Sequence, residues 1–314
     1  MARAVPTTLV GPARLRRAPS GAGLSWPARA LAIVLVILAL LVLWEAVKWF
    51  AGTPWRLHGT ALGIRIDYDH VPPFRWTVAT DLALPHVWSI VGVFFTPAER
   101  FGATQVWQVL VGAAIYTFRE AFVGFVVGGL LGLGLGVVFV RFRILERALV
   151  PYVVASQTIP LITLAPIVVI YLGAQWTSVA LIAAYLTFFP VTVAALRGLR
   201  AADPRAFELM RASAASERQV LWKLRLPAAV PYLFSALRIS ASASVVGAII
   251  GELPSGIPDG LGGQILNNVQ YYITGPERLW ATIVVAAALG IAFVWLVRLS
   301  EAAFTRGRYH AARA

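Results

Sequence analysis

Apolar residues in this chain come in long unbroken runs, not in the three-and-four spacing of a helix with one wet face. Six runs are long enough to cross a bilayer, which takes about 20 apolar residues at 1.5 Å of rise each. They lie near 30–50, 119–140, 149–172, 177–196, 229–250 and 279–298. Only GAQW, at 173–176, separates the third run from the fourth, a tight hairpin. Polar residues collect between the runs: a basic arm over 1–29, a long segment over 51–117, a charged stretch over 200–228 and a tail over 299–314. The expected fold class is all-α, a polytopic membrane bundle of about six transmembrane helices. Its core spans 118–298, and the arm at 1–29 is expected to be disordered.

The segment 51–117 divides in two. GTPWRLHGTALGIRIDYDHVPPFRW has turn formers and no long period, and reads as a loop. VWSIVGVFF and TQVWQVLVGAAIYTF are each short for a span and carry tryptophan, so they read as interfacial helices leading into the second span.

Composition agrees with a membrane protein. Charged residues make up 13% of the chain against 59% hydrophobic, and soluble domains carry roughly a quarter charged. A net charge of +13 raises nucleic acid as a partner, but the placement of the arginines argues against it. With six spans both termini share a side. The N-terminal arm, the segment after the second span (Arg141, Arg143, Arg147), the stretch Arg197 to Arg225 and the tail all fall on that side. The opposite side balances Arg56, Arg65, Arg75, Arg100 and Arg278 with Asp67, Asp69, Asp81, Glu99, Asp259 and Glu277. Basic loops stay in the cytoplasm, so both termini are expected there, in a multi-pass protein of a bacterial or archaeal plasma membrane. A secretory signal at the N-terminus is the competing reading. Leu31 to Phe50 is long for a signal's apolar region, and no small-x-small cleavage site follows, so an uncleaved anchor is expected.

Little in the chain points to catalysis. There is no cysteine, and no histidine falls inside a run. His58, Asp67, Asp69 and His70 match no metal-ligand spacing and read as a solvated loop, so no metal is expected. Glu45, Glu120 and Glu252 lie near the ends of their runs, leaving no carboxylate at a span centre for a proton relay.

Two features describe the spans. Gly124, Gly128, Gly132 and Gly136 repeat every four residues, a stripe on which a neighbouring helix can pack closely. The third span is broken by Pro151, Pro160 and Pro166, with Ser156, Gln157 and Thr158 nearby. The fifth carries Ser240, Ser242 and Arg238, and Glu252 follows. Polar groups and freed carbonyls at membrane depth either line a path or bond within their own helix, and both readings stand. Ser156, Gln157, Thr158, Pro160, Ser240, Ser242 and Glu252 are the candidate path residues. Arg238 either attracts an anion or reaches to the cytoplasmic edge.

The stretch RAADPRAFELMRASAASERQVLWKLRLPA is helix–turn–helix. Asp203-Pro204 is a helix start and the first helix ends near Ser213. Ser216 with Gln219 has capping-box spacing, and the second helix puts Val220, Leu221 and Leu224 on one face before stopping at Leu226-Pro227. From Glu208 through Ala214 and Leu224 to Leu226-Pro227, the pattern resembles the EAA loop of ABC-importer permeases. Leu209 and Met210 stand for its two alanines, Ala214 for its glycine and Leu224 for its isoleucine. TFREAFVGF, SQTIPLITLAPIVVIYLG, FFPVTVAALRGL and GELPSGIPDGLGGQI extend the resemblance, to the permeases of the nitrate, sulfonate and taurine importer group, over about 83–298.

The resemblance implies a type I importer permease whose hairpin, with Glu208 in the contact, docks into a groove on a separate ATPase subunit. It implies a pore made with a second permease copy, a homodimer, and a substrate-binding protein outside. ATP and magnesium would sit on the ATPase. A P-loop needs Gly-Lys, and neither Lys48 nor Lys223 follows glycine, so no nucleotide site and no cofactor is expected on this chain. The solute would be a small molecule such as nitrate, a sulfonate, taurine or a vitamin precursor. Two other classes remain: a membrane enzyme built around Arg238, Ser240 and Glu252, and a scaffold or sensor that binds a cytoplasmic partner through 200–228.

Overall fold

The apolar run near the N-terminus begins its helix at Trp26, just before Pro27, which suits a first helical turn. The structure, a computed structural model, describes residues 26–61, 64–99 and 102–311. Of the arm expected to be disordered, 1–25 lie outside the described residues and 26–29 are already helical. The chain divides into two units, one ending at Ala79 and the other starting at Thr80.

The first unit joins helix α1 (Trp26–Phe50) to an antiparallel pair, β1 (Trp55–Ala61) and β2 (Ile64–His70). The strands correct the loop reading. Along IRIDYDH, apolar and polar residues alternate at the period of a strand, a signal hidden by the turn formers around it. The register sets His58 opposite Asp67 and Arg56 opposite Asp69. The His70 ring stacks on Trp49 with centroids 4.5 Å apart, and its Nε2 lies 2.8 Å from the Trp49 carbonyl oxygen.

The second unit is helical: α2 (Val87–Val93), α3 (Val106–Arg141), α4 (Arg143–Ser156), α5 (Leu161–Leu172), α6 (Trp176–Arg200), α7 (Pro204–Ala212), α8 (Glu217–Val220), α9 (Leu226–Ser255), α10 (Leu261–Gln270) and α11 (Pro276–Ala311). Among the described residues, five helices are long and apolar enough to cross a membrane; α4 and α5 make a sixth if the bent pair is one span.

Three boundaries differ from expectation. TQVWQVLVGAAIYTF is no separate interfacial helix. It is the first part of α3, started by a reciprocal cap in which the Gln105 backbone N–H donates to Gln108 Oε1, and nothing breaks the helix before Arg141. The third run breaks once, not three times: α4 and α5 meet at 99° across residues 157–160. Pro160 removes a donor and biases the residue before it away from helix, while Pro151 and Pro166 sit inside α4 and α5. Finally, α11 continues through most of the expected tail to Ala311; residues 312–314 lie outside the described residues.

Helix α6 packs against both α3 and α9. The glycine stripe of α3 makes the first contact possible, since a Cβ at Gly124 would lie 2.5 Å from the Ala180 carbonyl oxygen and one at Gly132 2.6 Å from that of Phe188. Against α9, the backbone of Gly198 meets Ala229. Small residues at these crossings maximise the packing contact that holds helices together in lipid. Along α11, Phe293 meets Phe118 and Phe125 of α3 edge-on, at centroid distances of 5.2 and 5.0 Å.

Candidate functional site

The charged hairpin forms as its caps dictate. Asp203 accepts the Arg205 backbone N–H at 2.9 Å and Pro204 opens α7. Ser216 and Gln219 exchange side-chain and backbone bonds of 2.8 and 3.3 Å at the start of α8. Between the helices, Ala214 takes φ +50°, the left-handed conformation that glycine adopts without penalty. The motif's glycine position is therefore a true turn position, held here by alanine.

The second helix does not stop at Leu226-Pro227. Residues Leu221–Arg225 form one wide π turn, with the Leu226 N–H bonded to the Leu221 carbonyl, and the helix runs directly into α9. Pro227 has no N–H and its ring crowds the carbonyl four residues back; widening the turn absorbs both effects. The hairpin is thus rigidly continuous with the helix that packs on α6. Its two arms are tied where the Arg225 guanidinium lies 5.1 Å from the Phe207 ring centre.

The free face of this hairpin is mixed. Glu208 and Ala214 are exposed, and among the described residues Glu208 has no hydrogen-bond or ion-pair partner. Leu209 and Trp222 are exposed at 68% and 63%, while Leu224, Leu226 and Pro227 are half-buried beneath. Ion pairs brace the surroundings: Arg200 grips the Glu146 carboxylate with both guanidinium nitrogens, and Arg141 reaches Glu217 at 3.3 Å. A cleft of about 880 Å³ lies between the hairpin and the α3–α4 junction, with Arg141, Arg143, Arg218 and Arg225 on its walls.

The candidate path residues fall into two groups. At the α4–α5 break Gln157, Thr158 and Pro160 are exposed and Ser156 half-buried. Ser156 and Thr158 donate to the carbonyls of Val153 and Ala155, while Tyr185 donates to the carbonyl of Ser156. On α9, Ser242 is exposed and donates to Ile239, whereas Ser240 is fully buried and, among the described residues, has no partner for its hydroxyl. Arg238 pairs with Glu301 of α11 at 3.6 Å, so its charge is spoken for.

Glu252 belongs to neither group, and its environment was not legible in sequence. It is fully buried, as is Glu120. Thr117 donates to Glu252 Oε1 at 2.7 Å and accepts the Leu261 N–H at 2.8 Å; the Gly262 N–H donates to Glu252 Oε2. Glu120 is at the end of the apolar run that starts at 119, but α3 starts at Val106, so Glu120 lies well inside the helix. The one available signal was the glycine-rich DGLGG that follows Glu252, since a Cβ at Gly262 would lie 2.7 Å from that of Glu252.

Residues 124–306 match the family described as binding-protein-dependent transport system inner membrane component. The chain is 36% identical over 170 residues to the formylaminopyrimidine transport permease protein ThiX of Halalkalibacterium halodurans, covering 54% of this chain and 66% of that one, just under two thirds. It is 26% identical over 261 residues to the riboflavin transport system permease protein RibX of Chloroflexus aurantiacus, covering 82% and 81%. In fold it is similar to a chain of an amino acid ABC transporter crystallised with histidines, at a TM-score of 0.51 and 17% identity, over 62% of this chain and 94% of that one.

Proposed function

The chain belongs to the family of inner-membrane components of binding-protein-dependent transport systems, and we propose that it forms the path by which an ABC importer moves a small solute inward. It is the permease subunit of such a system. The observation that carries the mechanism is the hairpin at 200–228. It presents an unpaired carboxylate beside exposed Leu209 and Trp222, yet is continuous through the π turn with α9.

That combination suits a lever. Apolar side chains left in water favour burial in a partner, and Glu208 supplies a charge that fixes register there. A displacement of the docked hairpin passes into α9 without an intervening flexible loop, and from α9 into its contact with α6. The partner is a separate ATPase subunit, which holds ATP and magnesium. Glu208 and the turn at Ala214 form the contact, while Leu224, Leu226 and Pro227 carry its motion to the membrane helices.

The path itself is assigned to the polar break at Ser156, Gln157, Thr158 and Pro160 and to Ser242 on α9. Ser240 and Glu252, being fully buried between helices, serve packing instead. A second copy of the chain completes the pore, a substrate-binding protein delivers the solute from outside, and both termini lie in the cytoplasm. The relatives' names span formylaminopyrimidine, riboflavin, aliphatic sulfonates and taurine, so the solute is proposed as a small organic molecule of either the vitamin-precursor or the sulfonate kind.

The absence of cysteine offers the test. Ala214→Cys places one thiol at the hairpin turn, and a short thiol-to-amine crosslinker is applied to membranes of the native host. Mass spectrometry is expected to find an adduct with a P-loop ATPase. Efficient thiol labelling without that adduct, in membranes shown to contain the ATPase, refutes the coupling role and favours a scaffold.

A further inference from the structure

Two carboxyl groups meet inside the helical bundle. Glu120 of α3 and Glu252 of α9 are both fully buried, and Thr117, one turn before Glu120 on the same face of α3, bonds to Glu252. Glu252 is well supplied: the Thr117 hydroxyl reaches one oxygen and the Gly262 N–H the other. Its carboxylate also stands at the N-terminus of α10, where orphan N–H groups and the helix dipole favour negative charge. Glu120 is supplied with nothing. Among the described residues, neither of its oxygens has a hydrogen-bond partner. The nearby cation, Arg119, turns away and rests over the Trp176 ring at 4.6 Å.

Two like charges in contact and out of water do not both persist, and a buried acceptor without a donor is costly. One proton removes both difficulties. We propose that Glu120 holds a proton and donates it to Glu252, making a carboxylic acid–carboxylate bridge that seats the start of α10 on α3 and α9.

The bridge explains the residues around it. Thr117 joins the two sides, giving its proton to Glu252 and taking the N–H of Leu261. Glycines at 260 and 262 are required because a Cβ at either would collide with the Glu252 side chain. Residues of α3, α9 and α10 therefore converge on a single proton. Glu120 is a positioning residue for α10, and the inference stands whether or not the solute path is assigned correctly.

Infrared spectroscopy and hydrogen exchange test it on the purified full chain. The difference spectrum of wild type minus Glu120→Gln at neutral pH is expected to show the C=O stretch of a protonated carboxyl. Glu120→Gln, whose amide still donates to Glu252, is expected to keep amide protection over 257–270. Glu120→Ala, which leaves Glu252 short of a donor, is expected to exchange there about ten-fold faster or more. A difference spectrum without that band overturns the proposal, as does equal loss of protection in the Gln and Ala variants. Should Glu120→Ala fail to fold, the spectrum alone decides.

Discussion

The guanidinium of Arg225 lies over the ring of Phe207 with 5.1 Å between them, closing the two arms of the hairpin on each other. Cation–π contacts of this kind contribute roughly 0.5–1 kcal/mol at exposed sites. Phe207→Ala is expected to raise the hydrogen-exchange rate of residues 204–220 several-fold while leaving α3, α6 and α9 protected. Equal protection in the variant would show that the caps alone hold the hairpin.

Ala214 sits at φ +50° in the turn between α7 and α8. A left-handed alanine costs about 1 kcal/mol that glycine does not. Ala214→Gly is therefore expected to slow local exchange in the turn, with no change in the midpoint of global unfolding. Faster exchange would mean that the entropy of the unfolded glycine outweighs the relieved strain.

At Pro227 the expectation concerns geometry. The π turn at Leu221–Arg225 accommodates a residue without an N–H. Pro227→Ala restores that donor, and an ordinary α-helical turn becomes favourable. Each residue of register removed rotates the preceding hairpin by about 100° relative to α9. Pulsed EPR distances between labels at residues 214 and 246 are expected to shift, with coupled transport falling in parallel. Unchanged distances would place the cause of the π turn elsewhere.

Glu208 is exposed and, among the described residues, has no hydrogen-bond or ion-pair partner. Glu208→Ala is expected to leave membrane insertion and unfolding unaltered, within about 0.5 kcal/mol. In proteoliposomes with the ATPase subunits, ATP hydrolysis is expected to continue while uptake per ATP drops. Uptake at the wild-type rate would remove Glu208 from the contact.

The stripe on α3 separates close approach from glycine content. Gly132→Val drives a side chain into the Phe188 carbonyl and the Thr192 backbone of α6, whereas a Cβ at Gly134 meets nothing within 4 Å. Overpacking costs of about 1–3 kcal/mol are expected at 132, read as a lower unfolding midpoint in detergent. Gly134→Val is expected to be close to neutral. Similar losses at both positions would point to helix propensity instead of packing.

Several of these features are legible in the sequence. Asp203-Pro204 and Ser216–Gln219 cap their helices as their identities require, because a cap is a bond between residues two or three apart. The stripe Gly124, Gly128, Gly132 and Gly136 identified a helix contact because a four-residue period keeps one face of a helix. What α3 packs against, namely Ala180, Ala184 and Phe188, was not readable, since nothing local to α3 names its partner.

Local signals also competed, and some lost. The proline run in the third span suggested three breaks, yet only Pro160 coincides with a bend, since helices in lipid absorb an isolated proline when neighbours satisfy the freed carbonyl. Leu226-Pro227 suggested a stop, and the π turn carried the helix through it. The alternation in IRIDYDH was present but short, and pairing with β1 was needed to make it a strand.

From sequence alone came the membrane class, the number of apolar runs, the family resemblance and the capped hairpin. The class, the runs and the hairpin are read from composition, spacing and neighbours along the chain, and the resemblance rests on its quoted motifs. Only the tertiary structure placed Glu120 against Glu252 and brought Thr117 and Gly262 to the same point. Those residues lie 10 to 144 positions apart along the hydrogen bonds that join them. Their meeting is decided by how α3, α9 and α10 pack, and a buried carboxyl acquires its chemistry from that packing.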